Sequence, residues 1–251
     1  MQLKKVFKIV RPSVVSISRI RNNQDGSDSY IAIGTGVYID SKGMVLTAYH
    51  VVKDMEKLRQ PNIEIIFTIQ NRNEGISVRF VPVSMVANPT EDIALLKFVV
   101  PEGPDGEFFR QNFIPIQLPK IDDLEVGEEI ATIGYPLRHD DFVIAFPDLF
   151  HGIISRIDFA QKEMKHLYKN IMLDINARPG NSGGPVFKSE KGELIGIIRE
   201  AHNQVSDKIK YDDNECMIGS DEYIATTNMV NCIPWSKIRL FYEEAKSKFG
   251  V

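Results

Sequence analysis

The chain has 251 residues and a mass of 28.5 kDa, and its 30 Lys and Arg against 34 Asp and Glu give a formal net charge of −4. Apolar residues make up 43% and charged residues 25%, which excludes a disordered or fibrous protein. Lys and Arg are not clustered in a stripe along the sequence, so we expect no nucleic-acid partner. No apolar stretch approaches the roughly 18 residues that span a bilayer, so we expect no membrane span.

The first residues contain no secretory signal pattern. Lys8 interrupts the apolar residues that follow Lys4 and Lys5, and Arg11 and Pro12 come next, so an apolar segment of about 7 residues or more is missing. We therefore expect a cytoplasmic protein.

Short apolar runs separated by turn residues recur along the whole chain. They are rich in Val, Ile, Phe and Thr and are bounded by Asp, Asn, Gly and Pro, which favours strands. The predicted strands are 14–20, 31–39, 44–48, 63–67, 77–84, 93–99, 129–134, 142–146, 152–158, 171–175, 185–187, 194–199 and 223–226. Many short strands with few helices are typical of an all-β sandwich or barrel and argue against a doubly wound sheet.

Two segments have helical signals. The first, 51–59, follows His50 directly, and the second, 234–249, carries apolar residues such as Trp235 and Ile238 at helical spacing. The sequence therefore predicts one short helix inside the chain and one longer helix near its end.

Two other segments are predicted to be irregular. Pro and Gly occupy four of the six positions 101–106, which favours a linker between two runs of about six strands each. The polar stretch 200–222 is predicted to be a loop, either solvated or in contact with substrate.

The sequence Gly-Asn-Ser-Gly-Gly-Pro at 180–185 is the most informative motif. Three glycines around one serine favour a sharply turning backbone with accessible N–H groups, which acyl-transfer chemistry needs where negative charge develops on a carbonyl oxygen. Gly180 and Ser182 would each supply one N–H to such an oxyanion hole, with the Ser182 hydroxyl beside it. The alternative for an isolated motif of this kind is a glycine-rich hairpin with a solvated serine.

A serine nucleophile needs a base, normally a histidine held in one tautomer by a carboxylate. His50 follows the buried-strand pattern at 44–48 and precedes the short helix, and Asp92 lies at the start of the apolar strand 93–99. Taken singly, a satisfied core histidine or a strand-end cap would explain either residue. Together, in the order His, Asp, Ser, they favour a catalytic triad.

These motifs resemble those of the trypsin-like serine peptidases, and within them the HtrA/Deg branch. The similarity covers roughly residues 6 to 240, with 45–52 resembling the base motif, 92–97 the Asp motif and 180–185 the nucleophile motif. It implies an all-β fold of two six-stranded antiparallel β-barrels followed by the C-terminal α-helix. The first barrel, 1–118, would carry His50 and Asp92, and the second unit, 119–251, would carry Ser182 and the helix.

The resemblance also implies the activity, which is hydrolysis of peptide bonds in protein or peptide substrates through an acyl-enzyme. A homo-oligomer is compatible with it, but the family's PDZ domain has no counterpart after the helix 234–249. Asn181 stands where digestive trypsins have an aspartate that pairs with a freed N-terminus, so no proteolytic activation is expected.

The substrate pocket is expected to be formed by Asn176, Ala177, Ile197, Ile198, Arg199 and Glu200. Asn176 replaces the aspartate that selects basic residues in trypsin, and the small or apolar neighbours favour an uncharged P1 residue. Arg199 replaces a small hydroxyl residue near the catalytic aspartate, where its guanidinium would crowd the cleft or neutralise Asp92.

Other chemistries find no support. The sequence contains neither Cys-x-x-Cys nor His-Glu-x-x-His, so we expect no metal and no cofactor, and Cys216 and Cys232 are expected to be free thiols. Two hypotheses remain, an active serine endopeptidase and a catalytically weak protease-fold protein that binds polypeptides or partner proteins.

Overall fold

A computed structural model describes residues 3–22, 28–56, 63–70, 75–120, 123–136, 146–159, 168–211 and 217–249. Its four helices are α1 Leu3–Val10, α2 Tyr49–Val52, α3 Gly103–Asn112 and α4 Trp235–Lys248. Its strands are β1 Val14–Asn22, β2 Asp28–Asp40, β3 Met44–Ala48, β4 Ile63–Gln70, β5 Gly75–Phe80, β6 Ser84–Asn88, β7 Ile93–Lys97, β8 Glu129–Gly134, β9 Asp148–Phe159, β10 Tyr168–Asp174, β11 Pro185–Lys188, β12 Leu194–Tyr211 and β13 Met217–Pro234. The fold is mostly β, as the sequence predicts.

The first seven strands form one antiparallel sheet in the order β5-β4-β1-β2-β3-β7-β6. The strand predicted at 77–84 is divided here, because β5 pairs with β4 at one edge whereas β6 pairs with β7 at the other. Only residues 81–83 separate these two edge strands along the chain. Among the described residues, no strand pairing closes this sheet into a barrel.

The last six strands form a closed barrel in the order β10-β13-β12-β11-β8-β9, which confirms the second predicted barrel. The hairpin of β12 and β13 continues to the pair Tyr211↔Met217. The prediction of a loop at 200–222 is therefore wrong for most of that stretch, because its backbone continues the antiparallel pairing. The predicted strand 142–146 lies almost entirely outside the described residues.

A buried cluster joins the two sheets. It contains Met44 and Leu46 from the first sheet, Ile133 and Ile197 from the second, and several apolar residues of α1 and α4. We call it the interface cluster, and its full set of buried members is Val6, Val10, Val14, Val37, Ile39, Met44, Leu46, Ile93, Leu95, Ile116, Ala131, Ile133, Tyr135, Phe187, Leu194, Ile197, Ile233, Trp235, Ile238, Phe241, Tyr242 and Ala245. Each half also has a separate buried cluster of its own, in addition to the interface cluster that the two halves share.

Helix prediction succeeded where the apolar period was long. Helix α4 matches the prediction at 234–249, with Pro234 immediately before its first turn. The helix predicted at 51–59 is shorter, because α2 passes into a 3₁₀ turn at Lys53–Glu56, and 57–62 lie outside the described residues.

The linker predicted at 101–106 is wrong, because α3 begins inside it. Pro104 occupies the first turn of α3, where the missing N–H of a proline costs nothing. Phe109 on the same helix is buried among the aromatic residues of the first sheet. Helix α1 was also not predicted, although Val6 and Val10 fix it on the interface cluster.

Candidate active site

His50 and Asp92 lie side by side at the ends of neighbouring strands. His50 follows β3 in the short helix α2, and Asp92 immediately precedes β7, which pairs with β3. The Asp92 Oδ2 atom is 2.9 Å from His50 Nδ1, and Asp92 Oδ1 accepts the His50 backbone N–H at 2.9 Å. Both carboxylate oxygens therefore orient the histidine, one through its ring and one through its backbone.

Asp92 has a strained backbone. Its φ of 58° is the only positive value at a non-glycine position among the described residues. Such conformations persist where the surroundings hold them, and they occur often at functional sites. Here the Asp92 carbonyl accepts the Tyr49 N–H at 3.0 Å, and Lys237 of α4 forms an ion pair with the preceding residue, Glu91.

Arg199 approaches Asp92 as the sequence predicts. Its Nε lies 3.7 Å from Asp92 Oδ2, close enough for an ion pair. The Asp92 side chain is only 10% exposed, whereas that of Arg199 is 42% exposed. The guanidinium therefore stands at the solvent side of the carboxylate.

The loop that carries Ser182 presents two free amides. The N–H groups of Asn181, Gly183 and Gly184 donate to the carbonyls of Arg178, Ile198 and Asn181, respectively. The N–H groups of Gly180 and Ser182 donate to no acceptor within the described part of the chain. These are the two donors that the motif predicts for an oxyanion hole.

Glycine is required at two positions of this loop. Gly180 has a φ of 96° and Gly183 a φ of 82°, a region that residues with a Cβ rarely adopt. A Cβ at Gly183 would also collide with Thr47 Oγ1 and with the Thr35 carbonyl oxygen. The loop therefore packs directly on the backbone of the first sheet.

The Ser182 hydroxyl makes no hydrogen bond to His50 in the described structure. Catalytic hydrogen bonds are often long before substrate binds, so this geometry does not argue against a nucleophile–base pair. The side chain of Asn181, the residue before Ser182, is fully buried. Neither its Oδ1 nor its Nδ2 has a hydrogen-bond partner among the described residues.

The expected pocket residues differ in how accessible they are. Asn176 and Glu200 are exposed, and Ala177 is half-buried. Ile197 belongs to the interface cluster and Ile198 to the core of the closed barrel, and both are buried. Their side chains are already packed, so substrate contact at these positions would come from the strand backbone.

Thr35 is a residue of this region whose role the sequence analysis missed. It is fully buried in β2, and it makes hydrogen bonds to both Gly180 and Ser182. Its only sequence signal is its place in Gly34-Thr35-Gly36, where the flanking glycines permit close approach. A methyl group on Gly34 would collide with Val51, and one on Gly36 would collide with Val45.

With this geometry established, comparison with known proteins identifies the family. A family model described as the trypsin-like peptidase domain matches residues 34–197. The chain belongs to this family. The match spans the positions of His50, Asp92 and Ser182, and it confirms the resemblance found in the sequence.

Similar proteins support the HtrA/Deg branch. A probable periplasmic serine endoprotease, DegP-like, of Ectopseudomonas mendocina is 34% identical over 166 residues, which are 66% of this chain and 29% of that protein. A protein of the same name from Pseudomonas putida is 33% identical over 66% of this chain and 28% of its own length. The putative protease Do-like 14 of Arabidopsis thaliana is 27% identical over 75% of this chain and 40% of its own. The chain thus spans well under half the length of these relatives.

A solved structure supports the fold. An HtrA-type protease, AlgW with a serine-to-alanine substitution and a decapeptide, has a TM-score of 0.60 and 18% identity, and the match covers 100% of this chain and 68% of that one. It is similar to this chain in its architecture.

The cytoplasmic location expected from the sequence is wrong. The DegP-like relatives are named periplasmic proteins. Among the described residues, no helix is both long enough and apolar enough to cross a membrane.

Proposed function

We propose that this chain is a serine endopeptidase in which His50, Asp92 and Ser182 form the catalytic triad. The observation that carries the proposal is the contact of both Asp92 carboxylate oxygens with His50. The loop with the free N–H groups of Gly180 and Ser182 packs at Gly183 against Ala48, two residues before His50. A carboxylate that holds Nδ1 leaves Nε2 of the ring as the atom that accepts a proton.

Acylation begins when Ser182 Oγ attacks the scissile carbonyl carbon and its proton passes to His50 Nε2. The carbonyl oxygen becomes an oxyanion, which accepts hydrogen bonds from the N–H groups of Gly180 and Ser182. The carbon–nitrogen bond then breaks, and His50 Nε2 returns the proton to the leaving amine. The products of this half-reaction are a free amine and an ester on Ser182.

Deacylation reverses these roles with water as the nucleophile. His50 Nε2 takes a proton from the water as it attacks the ester, and it then returns the proton to Ser182 Oγ as the carboxylic acid leaves. Asp92 stays ionised throughout, holds the ring and stabilises its cationic form.

We assign 1–118 to a first barrel and 119–251 to a second barrel with the C-terminal helix. The first sheet supports this division, because β5 and β6 lie at its two edges yet are separated by only three residues, 81–83. If they count as one bent strand, the sheet becomes a closed barrel of six strands. The active site then lies where the two barrels meet.

The substrates we propose are polypeptides that place an uncharged P1 residue near Asn176 and Ala177. The names of the DegP-like relatives support a periplasmic location. A homo-oligomer is a prediction from the resemblance, and size-exclusion chromatography with light scattering tests it.

The test of the function is cleavage of unfolded casein together with labelling by a fluorophosphonate probe. We expect the wild type to give both, and Ser182→Ala to give neither, because the probe reacts at the nucleophilic hydroxyl. Ser247→Ala, an exposed position on α4, is the control and should behave as the wild type. Labelling of Ser182→Ala would contradict the assignment, and a folded wild type without activity would favour a binding protein with this fold.

A further inference from the structure

Thr35 joins the first sheet to the nucleophile loop through every polar atom that it has. Its N–H donates to the Ser182 carbonyl at 2.9 Å, and its Oγ1 donates to the Gly180 carbonyl at 2.7 Å. The same Oγ1 accepts the Tyr135 N–H at 2.9 Å, and the Thr35 carbonyl accepts Thr47 Oγ1 at 2.8 Å. One residue thus connects β2 with β3, with the end of β8 and with the loop, and its side chain makes the contacts with Gly180 and Tyr135.

These hydrogen bonds act on the peptide groups next to the proposed oxyanion donors. Fixing the carbonyls of Gly180 and Ser182 limits rotation of the glycine-rich backbone, whose intrinsic freedom is large. The hydroxyl cannot rotate away, because it donates to one loop carbonyl and accepts an amide of the second barrel. A buried group satisfied in both directions holds its partners in one geometry.

We propose that Thr35 is a positioning residue, which holds the amides of Gly180 and Ser182 in the orientation that stabilises the oxyanion. It acts through the loop and does not touch the substrate. The inference rests on the proposed peptidase function, and it adds a residue of the first barrel to the machinery of the second.

The discriminating variant is Thr35→Val, which keeps the shape of the side chain and removes the hydroxyl. We expect kcat to fall at least about tenfold with KM within about threefold, because an oxyanion donor contributes only in the transition state. Thr35→Ser retains the hydroxyl and should restore kcat to within about threefold of the wild type.

Thr132→Val is the matched control. Thr132 is also a fully buried strand threonine, and its Oγ1 has no hydrogen-bond partner among the described residues. The control therefore removes the same atoms from a buried strand without touching the loop, and its kcat should equal that of the wild type.

A second readout separates positioning from general damage to the fold. A peptide aldehyde forms a tetrahedral adduct whose oxygen occupies the oxyanion site, whereas an uncleaved peptide product does not. Thr35→Val should weaken inhibition by the aldehyde at least about tenfold and leave inhibition by the product peptide within about threefold. Equal weakening of both inhibitors would overturn the inference.

The two proposals fail in different ways. An inactive wild type refutes the peptidase function, whereas an active wild type with an equally active Thr35→Val refutes only the role of Thr35. If Thr35→Val does not fold, Thr35→Cys replaces it, because a thiol of similar size is a weak donor. Wild-type kcat in Thr35→Cys would then overturn the inference, and a loss of about tenfold with unchanged KM would support it.

Discussion

At the scale of single residues, the two side-chain partners of Asp92 are equally exposed and differ in geometry. His50 Nδ1 is hydrogen-bonded at 2.9 Å, whereas Arg199 Nε lies at 3.7 Å, and the two side chains are 41% and 42% exposed. Exposed ion pairs contribute about 0–1 kcal/mol, which corresponds to at most about fivefold in a rate. Loss of the triad carboxylate costs about 10⁴ in kcat.

We therefore expect Asp92→Asn to lower kcat by about 10⁴ and Arg199→Gln to change it by less than about fivefold in either direction. Steady-state kinetics on one peptide substrate measure both. Arg156→Gln, which removes an exposed cation from β9, gives the baseline for a pure charge change. A change of about a hundredfold in Arg199→Gln would mean that its guanidinium controls the site directly.

A site residue can be predicted from the sequence where chemistry needs a fixed residue type in a local motif. Three glycines around Ser182 and an aspartate at a strand mouth are visible in the sequence without any fold. Thr35 is not, because its function comes from two carbonyls that lie about 145 positions further along the chain. Burial of Ile197 and Ile198 was equally hidden, since an apolar residue beside a pocket looks the same whether it faces the pocket or the core.

At the scale of elements, α4 of the second half contacts the first sheet. Tyr242 OH donates to Asp40 Oδ2 at 2.6 Å, at the end of β2, and Lys237 pairs with Glu91 next to Asp92. Because Tyr242 is buried, its hydrogen bond to a carboxylate is shielded from water. The helix thus contacts the first sheet at two places, next to Asp92 and at the opposite end of β3, where Asp40 pairs with Met44.

Tyr242→Phe should lower the free energy of unfolding by about 1.5–3 kcal/mol, the usual contribution of a hydrogen bond to a charged group. The catalytic residues are untouched, so activity of the folded variant should remain. Urea unfolding followed by fluorescence measures the change. Glu243→Gln on the same helix, which breaks the exposed pair with Lys246 and keeps that lysine over the Tyr242 ring, should stay within about 0.5 kcal/mol of the wild type, and an equal loss in both variants would assign the effect to the helix in general.

Helices and strands were predicted correctly where their apolar residues recur with a clear local period. The long apolar period of α4 was sufficient, whereas α1 and α3 have 8 and 10 residues, and tertiary contacts of a few apolar residues stabilise them. The outer part of the β12–β13 hairpin was taken for a loop because its residues are polar. Its backbone pairing is set by the register of the buried half of the same hairpin.

At the scale of the whole molecule, the stability of the two halves depends on contacts between them. Tyr135 follows β8 of the second barrel, belongs to the interface cluster and donates its N–H to Thr35 of the first sheet. A pattern of short strands predicts that two such sheets exist. It does not predict which residues meet across them, because those contacts join positions about a hundred residues apart.

The burial of Tyr135 in the interface cluster makes the contact between the two sheets sensitive to alkaline pH. Burial raises the pKa of Tyr135 to about 12, although its hydrogen bond with Thr68 and the charge of Arg11 act to lower it. In the unfolded chain the same phenol ionises near pH 10. Between these values the unfolded state has lost a proton that the folded state retains, so the free energy of unfolding falls by about 1.4 kcal/mol per pH unit for this group. The contribution is complete below pH 10 and is lost as the pH rises through about 12.

Tyr135→Phe removes this proton linkage. Above pH 10, the free energy of unfolding of the variant should therefore fall less steeply with pH than that of the wild type, by up to about 1.4 kcal/mol per pH unit. Urea unfolding at pH 9, 10 and 11 measures it in both proteins, and the difference between the two curves isolates Tyr135, because Tyr38 and Tyr242, whose pKa values are also raised by burial, contribute equally to each. Loss of the hydrogen bond to Thr68 shifts the curve of Tyr135→Phe at every pH without changing its slope. Parallel curves would mean that the Tyr135 phenol already ionises freely in the folded protein, and the two sheets would then be less tightly closed around it than its burial indicates.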